Sequence, residues 1–120
     1  MIMRSSDFHD LLVWKKSMEL TAEIYRLAKL LPKEETYALS DQMRRAAVSI
    51  PSNIAEGRGR NSDKDFIRFL SVSRGSLWEL STQLDICVML NYLTESQIQN
   101  AKALIDEISK MMSALGRSLS

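Results

Sequence analysis

Residues 44–60 read RRAAVSIPSNIAEGRGR. Four arginines bracket a run of small residues, a proline sits in the middle, and two glycines punctuate the end. The stretch is either a basic ligand-binding loop or a helix bent around its proline. The apolar positions decide. Met43, Ala47, Ile50 and Ile54 hold helical spacing straight through Pro51, which a loop has no reason to do. The spacing therefore predicts one helix kinked at Pro51. The proline ring withholds its N–H from the carbonyl of Ala47 and crowds it. Ser49 and Ser52 are expected to help satisfy the freed backbone groups. Ser40 is the expected N-cap, with Asp41 in the first turn. Gly57 or Gly59 is expected to supply a left-handed C-terminal residue.

Outward from this segment, three others carry the same rhythm. Upstream, Leu11, Trp14, Met18, Thr21, Tyr25 and Ala28 form a seam beside a second row of Leu20, Ile24, Leu27 and Leu31, and Pro32 ends the helix. Downstream, Ser62 caps a helix whose Phe66, Leu70, Ser73, Leu77, Leu80, Leu84 and Cys87 run for about six turns, with Asn91 closing it. Thr94-Glu95-Ser96-Gln97 then reads as a capping box ahead of Ile98, Ala101, Ile105, Ile108, Met112, Leu115 and Leu119. Sustained 3-4 alternation makes narrow seams that pack at shallow angles. The expectation is an all-α chain, one domain over 1–120, folded as an antiparallel up-down four-helix bundle. Its helices fall near 9–31, 40–58, 62–91 and 94–117, with frayed residues at both termini.

Composition agrees. The chain has 120 residues, 45% apolar and 26% charged, with only two prolines and four glycines, too few turn formers for a sandwich or barrel. Its 16 basic and 15 acidic side chains give a net charge of +1, unlike a typical nucleic-acid binder. No apolar run approaches the roughly 20 residues of a membrane span, and the first residues lack a signal-peptide pattern. The single Cys87 cannot form an internal disulfide, so a reducing, cytoplasmic setting is expected.

No catalytic constellation accompanies the seams. Glu-x-x-His is absent, the one histidine, His9, precedes the first seam, and Cys87 has no activating partner. Gly57-Arg58-Gly59-Arg60 lacks the rest of any phosphate-cradling fingerprint. The expectation is a non-enzyme without metal or cofactor.

Three residue sets are the candidates for binding. Arg44, Arg45, Arg58 and Arg60, with Lys15 and Lys16, are either solvated charge or a phosphate-contacting patch. Ser52, Asn53, Glu56, Ser76 and Glu79 are either a wet polar face or a hydrogen-bonded network at a helix or subunit contact, with Arg45 as a candidate partner of Glu56. Val72, Trp78, Ile86 and Met89 give the third helix more apolar surface than one seam needs, which predicts self-association.

Residues 49–57, SIPSNIAEG, resemble the signature of the four-helix-bundle proteins encoded in intervening sequences of bacterial 23S ribosomal RNA genes. These are related to the accessory variability proteins of diversity-generating retroelements. Trp14-Lys15, Gln42 to Ala47, Gly75-Ser76-Leu77-Trp78-Glu79-Leu80 and Gln83-Leu84 extend the resemblance from about Phe8 to about Gly116. It implies an up-down bundle and a homo-oligomer, with a five-fold ring known in the family. The retroelement members are strongly basic and bind nucleic acid and a reverse transcriptase; this chain is not basic. Two functions follow as expectations: a module that contacts RNA, DNA or a ribonucleoprotein partner through phosphates, or a protein-interaction scaffold with no nucleic-acid affinity.

Overall fold

A computed structural model describes residues 7–120. A short 3-10 turn, Phe8–Asp10, precedes α1 (Leu12–Ala28), and another, Lys33–Glu35, precedes α2 (Leu39–Arg58). Then come α3 (Asp63–Met89) and α4 (Glu95–Leu119). The expected fraying of the first residues concerns positions 1–6, outside the described residues.

Each helix packs on two neighbours: α1 on α2 and α4, and α3 on α2 and α4. Among the described residues no close backbone approach joins the diagonal pairs. Hydrogen bonds fix the directions. Ser40 bonds to Ala28 and Thr21 to Ala47, so numbering rises on α2 as it falls on α1. Lys102 bonds to Ser81 and Arg74 to Ser113, which makes α3 and α4 antiparallel as well. The result is an up-down four-helix bundle, elongated to 54 × 24 × 19 Å.

The core takes Leu20, Ile24 and Leu27 from α1 and Met43, Ala47, Ile50 and Ile54 from α2. It takes Phe66, Leu77, Leu80, Leu84 and Cys87 from α3 and Ile98, Ala101, Ile108 and Met112 from α4. Burying each large side chain contributes about 1.5–3 kcal/mol. On α1 the second apolar row, not the first, faces inward. Trp14 lies at the rim, and Met18 and Tyr25 are exposed. Small Ser17 fills the inward position between Val13 and Leu20, and its hydroxyl donates to the Val13 carbonyl at 2.7 Å.

Helix ends follow local chemistry. Ser62 accepts from the Asp65 N–H, and Thr94 and Gln97 form the reciprocal capping box. Asn91, at φ 62, ends α3 in a left-handed turn in which the Tyr92 N–H reaches the Cys87 carbonyl at 2.9 Å. α1 stops at Ala28, earlier than its periodicity suggests. The Leu30 and Leu31 N–H groups turn back to Leu27 and Ala28 ahead of Pro32. Ser40 is not an N-cap: α2 already starts at Leu39, and the Ser40 hydroxyl is buried against the Ala28 carbonyl at 3.3 Å. The N-cap is Ala38, which offers no side-chain acceptor, and the Glu35 carboxylate accepts from the Leu39 N–H at 3.3 Å. Its second oxygen accepts from the Tyr92 hydroxyl at 2.9 Å, joining the α1–α2 link to the α3–α4 link.

α2 runs through Pro51 as a single helix. Neither glycine at its end is left-handed. Gly59 caps it at φ −77, and Gly57 lies buried inside it. A Cβ on Gly57 would come 2.8 Å from Phe69 Cβ and 2.9 Å from Phe66 Cδ1. Gly57 is therefore required by the close approach of α3, not by a backbone angle.

Candidate interaction surfaces

The SIPSNIAEG stretch faces α3 with backbone as much as with side chains. Ser73, buried on α3, donates to the Ile50 carbonyl at 2.7 Å. One turn on, the Ser49 and Ser76 hydroxyls lie 2.8 Å apart, and the Asn53 amide donates to Ser49 Oγ at 3.0 Å and to the Ser49 carbonyl at 2.8 Å. Of the polar candidates, Asn53 and Ser76 thus meet through Ser49 at the α2–α3 contact. Ser52, Glu56 and Glu79 are exposed and stay outside that cluster. Glu56 accepts from Arg60 at 2.6 Å rather than from Arg45. Arg45 instead bonds its own-turn neighbour Asp41 at 2.8 Å, which raises the guanidinium pKa. Ser49 and Ser52 do not answer the Ala47 carbonyl either; the Thr21 hydroxyl of α1 approaches it at 3.3 Å.

The basic candidates do not converge. Arg44 donates to the Thr36 carbonyl at 3.1 Å and lies 4.0 Å from Asp41. Arg60 adds a stack over the Phe69 ring, 4.9 Å from its centroid, to its Glu56 pair. Lys16 sits between Glu19 and Glu107 at 3.7 and 3.6 Å. Lys15 is exposed on α1. Arg58 is half-buried, and its Nε has no acceptor among the described residues.

The third candidate set stands on the outward face of α3. Val72 and Trp78 are each 49% exposed and Met89 is 70% exposed, while Ile86 is half-buried. Gly75 lies among them, and a Cβ built there meets nothing within 4 Å. A second apolar surface escaped the sequence reading. Phe8, Trp14, Met18, Val48, Pro51 and Ala55 line a groove of about 350 Å³ between α1 and α2. Its signal was the doubled apolar row of α1, which is one row more than the core needs. Gln83 was also missed: its side chain is buried on α3, and its Oε1 accepts no hydrogen bond among the described residues.

Cys87 is buried with its sulfur 3.6 Å from that of Met43. Burial, and secondarily the Glu35 charge, push the thiol up to about 11, so it stays protonated and unreactive near neutrality. No cluster of three or more metal-ligating side chains occurs among the described residues. No helix among them is long and apolar enough to cross a membrane.

Comparison with known proteins agrees with this architecture. A crystal structure from Bacteroides thetaiotaomicron, of a protein of unknown function from the S23 ribosomal protein family, superposes with a TM-score of 0.81 at 28% identity. The match covers 88% of this chain and 98% of that one. No curated protein matches the sequence. The family described as 23S rRNA-intervening sequence protein matches residues 9–114, from the turn before α1 to the last turns of α4. Bundle, signature and matched span coincide, and the chain belongs to the 23S rRNA-intervening sequence protein family.

Proposed function

We propose that this protein is a homo-oligomeric helical module that acts by binding rather than by catalysis, and that copies meet on the outward face of α3. Gly75 carries the reading. A mid-helix glycine costs about 1 kcal/mol relative to alanine. Gly57 has an internal reason to lack a side chain, whereas a Cβ at Gly75 would meet nothing within 4 Å among the described residues. Between exposed Val72 and Trp78, that gap admits the backbone of a neighbouring helix. The family resemblance supports a five-membered ring, and the buried, reduced Cys87 suits a cytoplasmic setting.

The oligomer then serves as a scaffold for another protein. This reading is favoured over phosphate contact with RNA, DNA or a ribonucleoprotein because Arg44, Arg45, Arg60 and Lys16 already face carboxylates. Of the six basic candidates only Lys15 and Arg58 have no carboxylate partner among the described residues. Light scattering after gel filtration tests the assembly. A multiple of the 13.7 kDa chain is expected at micromolar concentration, with Trp78→Glu returning it to monomer at unchanged helicity. A wild-type monomer would overturn the proposal. Pull-downs that survive nuclease treatment support the scaffold. Binding to RNA that weakens steeply with salt supports the phosphate reading instead.

A further inference from the structure

We propose that the cleft between α3 and α4 around Arg74 and Arg117 is a binding site for a phosphate group. The cleft has a volume of about 370 Å³ and is lined by no acidic side chain. Its polar lining consists of the two arginines with Ser71, Ser113 and Ser120, above buried Leu70 and Met112.

Arg58, Arg74 and Arg117 are the arginines without a carboxylate partner among the described residues, and two of the three share this cleft. Arg26, Arg44, Arg45, Arg60 and Arg68 each have a carboxylate within ion-pair range. Arg74 and Arg117 have none among the described residues. Arg74 is half-buried, and its one hydrogen-bond acceptor among them is Ser113 Oγ at 3.0 Å. A guanidinium has five N–H donors, so most remain for a ligand. Partial burial without a counter-charge is costly, and a bound anion removes that cost.

The helices supply the convergence. Ser71 and Arg74 stand one turn apart on α3, Ser113 and Arg117 one turn apart on α4, and the Arg74–Ser113 bond holds the two pairs opposite each other. Two planar guanidinium forks with hydroxyls between them match the oxygens of a phosphate. The carboxyl end of α4 opposes an anion with about half a negative charge, or about one and a half where Ser120 carries a free carboxylate, and the two guanidinium charges exceed either. The phosphate belongs either to a small phosphorylated molecule or to a nucleic-acid backbone. The site borders the assembly face, since Arg74 stands one turn and Ser71 two turns before Trp78 on α3.

Titration of the full chain with inorganic phosphate, followed by amide and guanidinium NMR, tests the site. Shifts are expected at Ser71, Arg74, Ser113 and Arg117, with affinity about tenfold weaker in Arg117→Gln, the loss of one charge-assisted contact. Arg117 is exposed, so this variant keeps the fold. Ser113→Ala is a second variant, expected to displace Arg74 and weaken binding without removing a charge. A single-stranded RNA hexamer that binds tighter than phosphate, with a salt-dependent affinity lost in Arg117→Gln, identifies a nucleic-acid backbone. Equal affinities identify a small ligand. The proposal is overturned if neither probe shifts the cleft at tens of millimolar, or if Arg117→Gln and Ser113→Ala bind as the wild type does.

Discussion

The Thr21 hydroxyl of α1 lies 3.3 Å from the Ala47 carbonyl of α2, the acceptor that Pro51 leaves without its helical partner. The same hydroxyl donates within its own helix to Ser17 at 2.8 Å, so its single proton is shared. A break in one helix is thus answered by a side chain of the next.

Thr21→Val removes that answer. A loss of about 1 kcal/mol is expected in urea unfolding. The loss should shrink in a Pro51→Ala background, where the backbone N–H regained at that position takes the carbonyl back. The two substitutions should therefore couple in a double-mutant cycle. A crystal structure of Pro51→Ala should also have a straighter α2 than the wild type, whose bend is expected from the proline ring. Additive effects of the two substitutions would contradict the account.

Gly57 and Gly75 should respond in opposite ways to alanine. Gly57→Ala forces apart α2 and the Phe66–Phe69 stretch of α3, and overpacking of this kind costs about 1–3 kcal/mol. Gly75→Ala meets no neighbour within 4 Å among the described residues and should stabilise the isolated chain by about 0.5–1 kcal/mol. Thermal unfolding of both variants at concentrations below assembly reads the contrast. Light scattering at higher concentration should find Gly75→Ala impaired in assembly.

Gln83 buries an acceptor without a donor among the described residues. Gln83→Met keeps the length and removes the orphaned oxygen. A gain of about 1 kcal/mol is expected, because an unmet buried polar group costs that much or more. A comparable loss in urea unfolding would mean that the oxygen has a partner after all.

Glu23 makes stability depend on acid. The Arg26 hydrogen bond holds its carboxyl below the ordinary 4.5, against the opposing effect of burial and with help from Asn100. A carboxylate with a depressed folded pKa contributes its full stability above the ordinary value and loses it as pH falls through the depressed one. Unfolding midpoints should therefore decline below about pH 4.5, and Glu23→Gln should flatten that part of the decline. An unchanged profile would assign the acid sensitivity to other groups.

Much of the bundle was legible because periodicity is a local property. The rows on α2, α3 and α4 follow from spacing alone, as does the capping box of α4. α1 offers two rows, and spacing cannot rank them. The core accepts Leu20, Ile24 and Leu27, while Trp14, Met18 and Tyr25, with polar tips or flexible stems, go to the rim. Ser40 and Gly57 mislead for a different reason. Both look like helix ends in sequence, but their roles are set by Ala28 and by the Phe66–Phe69 stretch, which only folding brings near. The pairing of Arg45 with Asp41 rather than Glu56 follows the one-turn spacing of helical ion pairs and was available in the sequence. So was Arg74, which has no acid one turn away on either side.

Glu35 gives the bundle an asymmetry between its two poles. By joining the Leu39 N–H to the Tyr92 hydroxyl, it couples both helical hairpins at the pole where α1 meets α2 and α3 meets α4. Slow amide exchange should therefore extend to the helix ends at that pole. Transient opening should begin with the turns around Phe8 and Ser118 at the other, so that the molecule breathes from one end.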